Sequence, residues 1–140
     1  MVVRYRSGLS LPSYADAKKL HLEFLEDLGV SETNYYDRPA VGTPYRDADG
    51  NECAVRIRKA LKKRNGKDDR FCWESGANLC LYGLPQLRPG KEVTLVEGES
   101  DTQTLLQEGI NAVGVPGAGC WKDDRDSPHL IEVRNHLLTR

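Results

Sequence analysis

The sequence predicts an α/β fold, α+β overall, in which a small front of helices and a β-hairpin precedes a strand–helix–strand unit. Residues 93–96 are apolar or β-branched, and they lead through Glu97 and a glycine into a helical pattern. Residues 111–115 form a second short apolar segment after that helix, which is the order of a parallel β-α-β unit. Upstream, Asp-Ala-Asp-Gly at residues 47–50 is a turn signal between two strand patterns.

The front of the chain carries two short helical patterns, at residues 11–20 and 23–29, and Gly29 is a stop signal for the second. Residues 35–46 predict the first strand of the hairpin, although two prolines interrupt them. Residues 54–58 alternate apolar and basic side chains and predict the second strand, with one face packed on the core.

Basic residues concentrate after this alternation begins. The segment from Arg56 to Arg70 contains eight Lys and Arg and only two Asp. Most basic loops are simply solvated. Here an arginine pair on the preceding strand points the same way as the loop, so the sequence supports phosphate binding and simple solvation about equally. The expected nucleic-acid-binding residues are Arg56, Arg58, Lys62, Lys63 and Arg64.

Phe71 and Trp73 alternate with Cys72, so their rings are expected on one face of a short strand. Proteins that bind single strands use such aromatic rings as stacking platforms. Large aromatic residues more often belong to the core, and we favour burial of both rings.

Two carboxylates surround the turn that follows residues 93–96. Glu97 lies where the predicted strand ends, and functional groups of parallel sheets gather at that carboxyl edge. Asp101 falls in the first turn of the predicted helix, where its negative charge suits the helix dipole. Carboxylates held by a strand and a turn can help to bind a divalent cation. Glu97 and Asp101 are therefore the candidate metal ligands.

Composition excludes several other classes of protein. Apolar residues are 39% of the 140 and charged residues 29%, and no apolar run approaches the length of a membrane span, so no membrane partner is expected. The first residues lack the apolar core of a signal peptide, which makes a cytoplasmic location the default expectation. The four cysteines contain no Cys-x-x-Cys pair, so reduced structural thiols are expected rather than a zinc ribbon.

Residues 96–101, Val-Glu-Gly-Glu-Ser-Asp, followed by Gly-Ile-Asn-Ala-Val at 109–113, resemble the first signature of the Toprim domain. That domain occurs in bacterial-type primases, type IA and type II topoisomerases and some nucleases. Val-Pro-Gly-Ala-Gly at 115–119 is similar to the loop after its second strand. Arg-Phe-Cys-Trp at 70–73 and Leu-Tyr-Gly-Leu at 81–84 resemble the segment before Toprim in bacterial and phage primases.

The resemblance implies a primase-like N-terminal subdomain over residues 1–88 and a truncated Toprim βαβ unit over residues 91–140. It implies a role in DNA replication, with primer RNA synthesis on single-stranded DNA from nucleoside triphosphates and a replicative helicase as a further partner. In that family Glu97 would be the catalytic acid/base or metal-site carboxylate. Asp101 would support it on Mg²⁺ or Mn²⁺.

The sequence departs from the family at the second Toprim signature, a strand that ends in Asp-x-Asp. Asp124-Arg125-Asp126 is the only such pattern, but no apolar strand precedes it and it comes too early, so we assign it no role. We therefore expect weak metal binding and at most traces of primer from these 140 residues. A non-catalytic module that binds nucleic acid or a replication partner, and a Toprim-type nuclease, remain alternatives. The Leu-Tyr-Gly-Leu segment favours primase over nuclease, whereas the missing Asp-x-Asp favours binding over catalysis.

Overall fold

A computed structural model describes residues 8–63 and 68–116 of the chain. The predicted phosphate ligand Arg64, the pattern Asp124-Arg125-Asp126, and most of the loop at 115–119 lie outside those residues. In chain order the elements are α1 (Leu11–Lys18), α2 (Leu22–Asp27), β1 (Ser31–Tyr35), β2 (Arg38–Arg46), β3 (Glu52–Arg58), β4 (Phe71–Trp73), a 3₁₀ turn (Leu84–Gln86), β5 (Thr94–Glu97), α3 (Glu99–Gln107) and β6 (Ala112–Val115). The predicted α/β class, α+β overall, is confirmed.

Two compact units divide the described chain. The first contains residues up to 44 together with 55–75, and the second contains residues 45–54 together with those from 76 onward. The hairpin of β2 and β3 runs from the first unit into the second. The boundary that the sequence suggested, between residues 88 and 91, falls inside the second unit.

The first unit begins with the two predicted helices. Ser10 caps α1, because its hydroxyl accepts a hydrogen bond from the backbone N–H of Ser13 at 3.2 Å. The side chains of Tyr14 and Leu25 are fully or almost fully buried, and burial of a leucine of this kind contributes about 2 kcal/mol. A four-stranded sheet follows, in the order β1-β2-β3-β4.

Strand β1 was not predicted, because no glycine or asparagine marks the turn that follows it. Tyr35 pairs with Arg38, which leaves Tyr36 and Asp37 as a two-residue hairpin loop. Both loop residues have positive φ, +48° and +60°, as the tight turns that match strand twist require. For Tyr36 this left-handed conformation costs about 1–2 kcal/mol, whereas an aspartate such as Asp37 tolerates it.

The second unit contains the predicted β-α-β unit. β5 and β6 pair in parallel, with Thr94 opposite Ala112 and Glu97 opposite Val115. On the other side of β6, Tyr82 and Gly114 exchange two backbone hydrogen bonds of 2.8 and 2.9 Å.

The helix α3 does not bury its apolar side chains. Leu105 and Leu106 are only half-buried, and Ile110, just beyond the helix, is exposed. The buried side chains of α3 are instead Glu99, Thr102 and Gln103. They are buried because each has a polar partner inside the unit, which removes the cost of desolvation.

Asn111 holds the loop before β5 in place. Its side-chain oxygen accepts a hydrogen bond from the Arg88 backbone N–H at 2.8 Å, and its amide donates to the carbonyls of Arg88 and Glu92. The Arg88 guanidinium donates to the Gly109 carbonyl at the end of α3. These bonds satisfy a buried asparagine completely and join the entry of β5 to the end of α3.

In the part of the chain that the structure describes, no helix combines the length and the apolar character that crossing a membrane requires. Cys53, Cys72 and Cys80 are free thiols, and Cys120 lies outside the described residues.

Candidate functional site

The pairing of β3 with β4 places basic and aromatic side chains on one face of the sheet. Arg56 lies opposite Trp73, and Arg58 lies opposite Phe71. Directly opposed residues of antiparallel strands share a face, so these four side chains form one surface. Together with Arg70, they are called the basic–aromatic face below.

Guanidinium groups stack on the rings of this face. The Arg56 guanidinium carbon lies 4.4 Å from the centre of the Phe71 ring and 5.1 Å from that of Trp73. Those of Arg58 and Arg70 lie 4.9 and 5.0 Å from the Phe71 ring. These are cation–π distances, each worth about 0.5–1 kcal/mol at a partly exposed position. The expectation that Phe71 and Trp73 are buried is not met, because both rings stay half-exposed beneath the arginines.

Arg58 and Arg56 differ in their surroundings. Arg58 is only 7% exposed, and its guanidinium also faces the ring of Tyr14 at 5.6 Å. Its Nε and Nη2 donate hydrogen bonds to the carbonyls of Ala60 and Leu61 at 3.0 and 3.2 Å. Arg58 thus anchors the start of the basic loop, whereas Arg56 is half-exposed.

The loop beyond β3 supplies two exposed cations, Lys62 and Lys63. Its other end carries an ion pair between Arg70 and Asp68, with Nε–Oδ1 and Nη2–Oδ2 distances of 2.8 and 3.0 Å. This bidentate contact with Arg70 holds the pKa of Asp68 at about 2. Asp68 is therefore ionised at any working pH, and it offsets part of the positive charge of the basic–aromatic face.

The second group of predicted residues lies at the carboxyl end of β5. Glu97 is the last residue of β5 and Asp101 the third residue of α3, and both side chains are exposed. Gly98 joins them with φ +82° and ψ 170°, a conformation that is essentially restricted to glycine. We call Glu97 and Asp101 the carboxylate edge.

Two hydrogen bonds and one close approach fix the turn of the carboxylate edge. The Gly98 N–H donates to the Val115 carbonyl at 2.7 Å, and the Thr102 hydroxyl donates to the Gly98 carbonyl at 2.8 Å. Gly114 lies so close that a Cβ there would come within 2.8 Å of the Gly98 oxygen and still closer to the Thr102 hydroxyl. The turn is therefore packed directly on the end of β6.

Beneath this turn is a buried polar group that the sequence did not predict. Glu99 is 7% exposed and accepts a hydrogen bond of 2.7 Å from the hydroxyl of Tyr45. The ring of Tyr45 contacts that of Tyr82 at 5.1 Å, and Gln103 donates to the Tyr82 hydroxyl at 3.0 Å. Burial raises the pKa of Tyr82 well above its ordinary value, so that it stays protonated.

These contacts explain why alternate carboxylates of the Glu-Gly-Glu-Ser-Asp segment have different surroundings. Glu99 is buried against Tyr45, whereas Glu97 and Asp101 are exposed. A periodic pattern of apolar residues could not reveal this arrangement, because the buried residue is itself charged.

The carboxylate edge fits a divalent cation in part. Carboxylate oxygens are the donors that Mg²⁺ prefers, and Mg²⁺ is often held by one or two of them together with substrate phosphates. Over the described ranges 8–63 and 68–116, no group of three or more His, Cys, Asp or Glu side chains converges on a metal site. Glu97 and Asp101 are thus a pair of candidate ligands rather than a closed site.

Comparison with solved structures places this architecture among primases. The primase fragment of the bacteriophage T7 primase-helicase protein matches with a TM-score of 0.56 and 26% identity, covering 83% of this chain and 44% of that one. The E. coli primase catalytic core matches with a TM-score of 0.53 and 20% identity, over 76% and 47%. A primase catalytic domain bound to single-stranded DNA matches with a TM-score of 0.54 and 19% identity, over 76% and 46%. No family model and no curated protein matches the chain.

This chain spans less than half the length of each of these three structures. Its fold is that of part of a primase catalytic core, and the resemblance to Toprim-containing primases inferred from the sequence is confirmed at the level of the fold.

Proposed function

We propose that this chain forms part of a primase-like replication protein, in which the basic–aromatic face binds single-stranded DNA and the carboxylate edge contributes ligands for Mg²⁺ or Mn²⁺. The observation that carries the proposal is the stacking of Arg56 between Phe71 and Trp73 on a half-exposed surface. Primer RNA synthesis from nucleoside triphosphates, with a replicative helicase as a partner, is the activity that the fold favours for the intact protein.

The physical case for DNA binding rests on two properties of the basic–aromatic face. Its arginines are held by the rings beneath them, so less side-chain entropy is lost when a phosphate binds. Arginine guanidinium planes stack with any base, as aromatic rings do, which suits a template of arbitrary sequence. Arg56, Lys62 and Lys63 would contact the phosphates, while Arg58 supports them by anchoring the loop.

The case for metal binding rests on the carboxylate edge. A divalent cation bound there would supply positive charge to offset the phosphates of a nucleotide. Glu97 and Asp101 would hold it through their carboxylates, and the Gly98 turn would keep these two residues in place.

Replacing Arg56 with alanine tests the DNA-binding part of the proposal. We expect about fivefold weaker binding to an oligothymidylate at low salt, because one phosphate contact and its stacking support are removed. The slope of log K against log salt concentration should fall in magnitude by about 0.7, the value for one phosphate on a single strand. Fluorescence anisotropy of a labelled oligonucleotide measures both quantities.

Lys91→Ala is the matched control, since it removes one exposed positive charge in the second unit. It should leave the affinity near that of the unchanged chain. An equal loss of affinity in both variants would show that the effect comes from net charge alone. If the unchanged chain does not bind the oligonucleotide, the DNA-binding proposal is refuted.

A substitution that removes a negative charge, and should therefore tighten binding, gives an independent check. Asp68→Asn removes the carboxylate that pairs with Arg70, so the guanidinium becomes available to phosphates and a repulsive charge disappears. We expect binding to tighten about threefold at low salt and the gain to vanish at high salt. Asp49→Asn, in the exposed hairpin turn, removes the same charge elsewhere and should change little. Weaker binding by Asp68→Asn would show that Arg70 must be held in place.

A non-catalytic nucleic-acid-binding module is the second candidate. It is favoured by the lack of a third converging carboxylate within residues 8–63 and 68–116. An assay of primer synthesis by the 140-residue chain distinguishes the two. Robust synthesis would show that residues outside those ranges complete a catalytic site, whereas binding without synthesis fits a module that acts within a longer protein.

A further inference from the structure

Tyr36 is an unusual residue for the position it occupies. Its side chain is 80% exposed at the tip of the hairpin formed by β1 and β2, and its φ is +48°. Tight hairpin loops of this kind favour asparagine or glycine, since these residues tolerate the left-handed conformation. A tyrosine here strains the backbone, and its side chain gains almost no burial in return. Residues held in such strained conformations often cluster at functional sites.

The surroundings of Tyr36 are those of a stacking site. Its ring meets that of Tyr35 edge to face, with the centroids 4.6 Å apart. The ammonium of Lys59 lies 5.2 Å from the centre of the Tyr35 ring. Two aromatic rings and a cation thus follow one another at the tip, a combination that single-strand binders use for a base and its phosphate.

Two contacts join this row to strand β4 of the same unit. The Lys59 N–H donates to the Arg70 carbonyl at 2.7 Å. The Tyr35 hydroxyl is hydrogen-bonded to the side chain of Cys72 in β4, and this contact raises its pKa. Tyr35 and Lys59 therefore connect the exposed ring of Tyr36 to the strand that carries Phe71.

We propose that Tyr36 is a base-stacking contact for single-stranded DNA, which adds the tip of the β1–β2 hairpin to the binding surface. The proposal rests on the DNA-binding function proposed above. The proposal explains why a strained turn contains a large exposed ring: the Tyr36 ring binds nucleic acid and does not stabilise the fold.

Replacing Tyr36 with asparagine separates these two effects. Asparagine suits the turn, so the melting temperature should rise by about 3 °C. Binding to an oligothymidylate should weaken about tenfold, because one base loses its stacking partner. The salt slope should stay unchanged, since no charge is removed, whereas Arg56→Ala lowers it.

Two further variants test the chemistry of the contact. Tyr36→Phe keeps the ring and should bind as the unchanged chain does, while Tyr36→Leu keeps apolar area without a π face and should bind as weakly as Tyr36→Asn. Asp37→Gly relieves the adjacent strain without touching the ring. It should raise the melting temperature with no loss of affinity.

The outcomes distinguish this inference from the function on which it rests. If the unchanged chain binds DNA and Arg56→Ala weakens it, but Tyr36→Leu and Tyr36→Asn bind normally, the stacking contact alone is refuted. If the unchanged chain does not bind single-stranded DNA, both proposals fail. Weak binding by Tyr36→Leu with normal binding by Tyr36→Phe supports the contact.

Discussion

Replacing Gly114 with alanine should lower the free energy of unfolding by about 3 kcal/mol or more, the upper range for overpacking a rigid site. A Cβ at this position would overlap the Thr102 hydroxyl and lie 2.8 Å from the Gly98 carbonyl oxygen. One of these atoms belongs to backbone and the other to a completely buried side chain, so neither can move away cheaply. Urea unfolding followed by circular dichroism measures the change.

Gly42→Ala is the control for this substitution. Gly42 also lies in a strand, but its added Cβ would meet its nearest neighbours at 3.7 Å, an ordinary contact distance. We expect the control to be neutral or slightly stabilising, because alanine restricts the unfolded chain. If Gly114→Ala were equally neutral, the turn at Gly98 would be looser than the structure shows.

The Gly114 substitution should also affect the carboxylate edge. Because Gly98 and Thr102 must shift to admit the new methyl group, the turn between Glu97 and Asp101 is displaced even in molecules that stay folded. Mn²⁺ affinity should fall together with stability in this variant. Gly42→Ala should lower neither of them.

Glu97→Gln is expected to reduce Mn²⁺ or Mg²⁺ binding below detection. The amide keeps the size of the side chain but loses the charge that a hard cation requires, and Asp101 would remain as a single carboxylate. The side chain is exposed, so the fold should be unaffected. Titration calorimetry and the relaxation of water protons by Mn²⁺ both report the loss without depending on activity.

Glu108→Gln provides the comparison, because Glu108 is an exposed carboxylate at the other end of α3. This variant should bind the ion as the unchanged chain does. Asp101→Asn should weaken binding several-fold, as a supporting ligand would. Tight binding that survives Glu97→Gln would place the ion elsewhere, for example at Asp123, Asp124 and Asp126, which lie outside the described residues.

Several features of the fold could be predicted because they depend on neighbours in the chain. The β-α-β unit follows from short apolar segments separated by a helical pattern, and the hairpin of β2 and β3 follows from its Asp-Ala-Asp-Gly turn. The position of Glu97 at the end of a strand and of Asp101 in the first turn of a helix follows in the same way. Local periodicity and turn chemistry were enough for these predictions.

The turn at Tyr36 and Asp37 was missed for a physical reason. Turn prediction depends on residues that tolerate positive φ, and Tyr36 does not do so easily, although Asp37 does. The pairing of β1 with β2 holds both in that conformation. Long-range hydrogen bonds thus imposed a backbone geometry that the local sequence disfavours.

The sequence by itself determined the front helices, the hairpin of β2 and β3, the β-α-β unit, the basic segment after Arg56 and the positions of Glu97 and Asp101 on either side of Gly98. Only the tertiary structure decided that Arg56 stacks on Phe71 and Trp73, and that Glu99 is buried against Tyr45. Glu99 and Tyr45 are 54 positions apart, and no local pattern can show which distant hydroxyl will satisfy a buried carboxylate. Burial of polar groups depends on finding such partners, and partners are found only when the chain has folded.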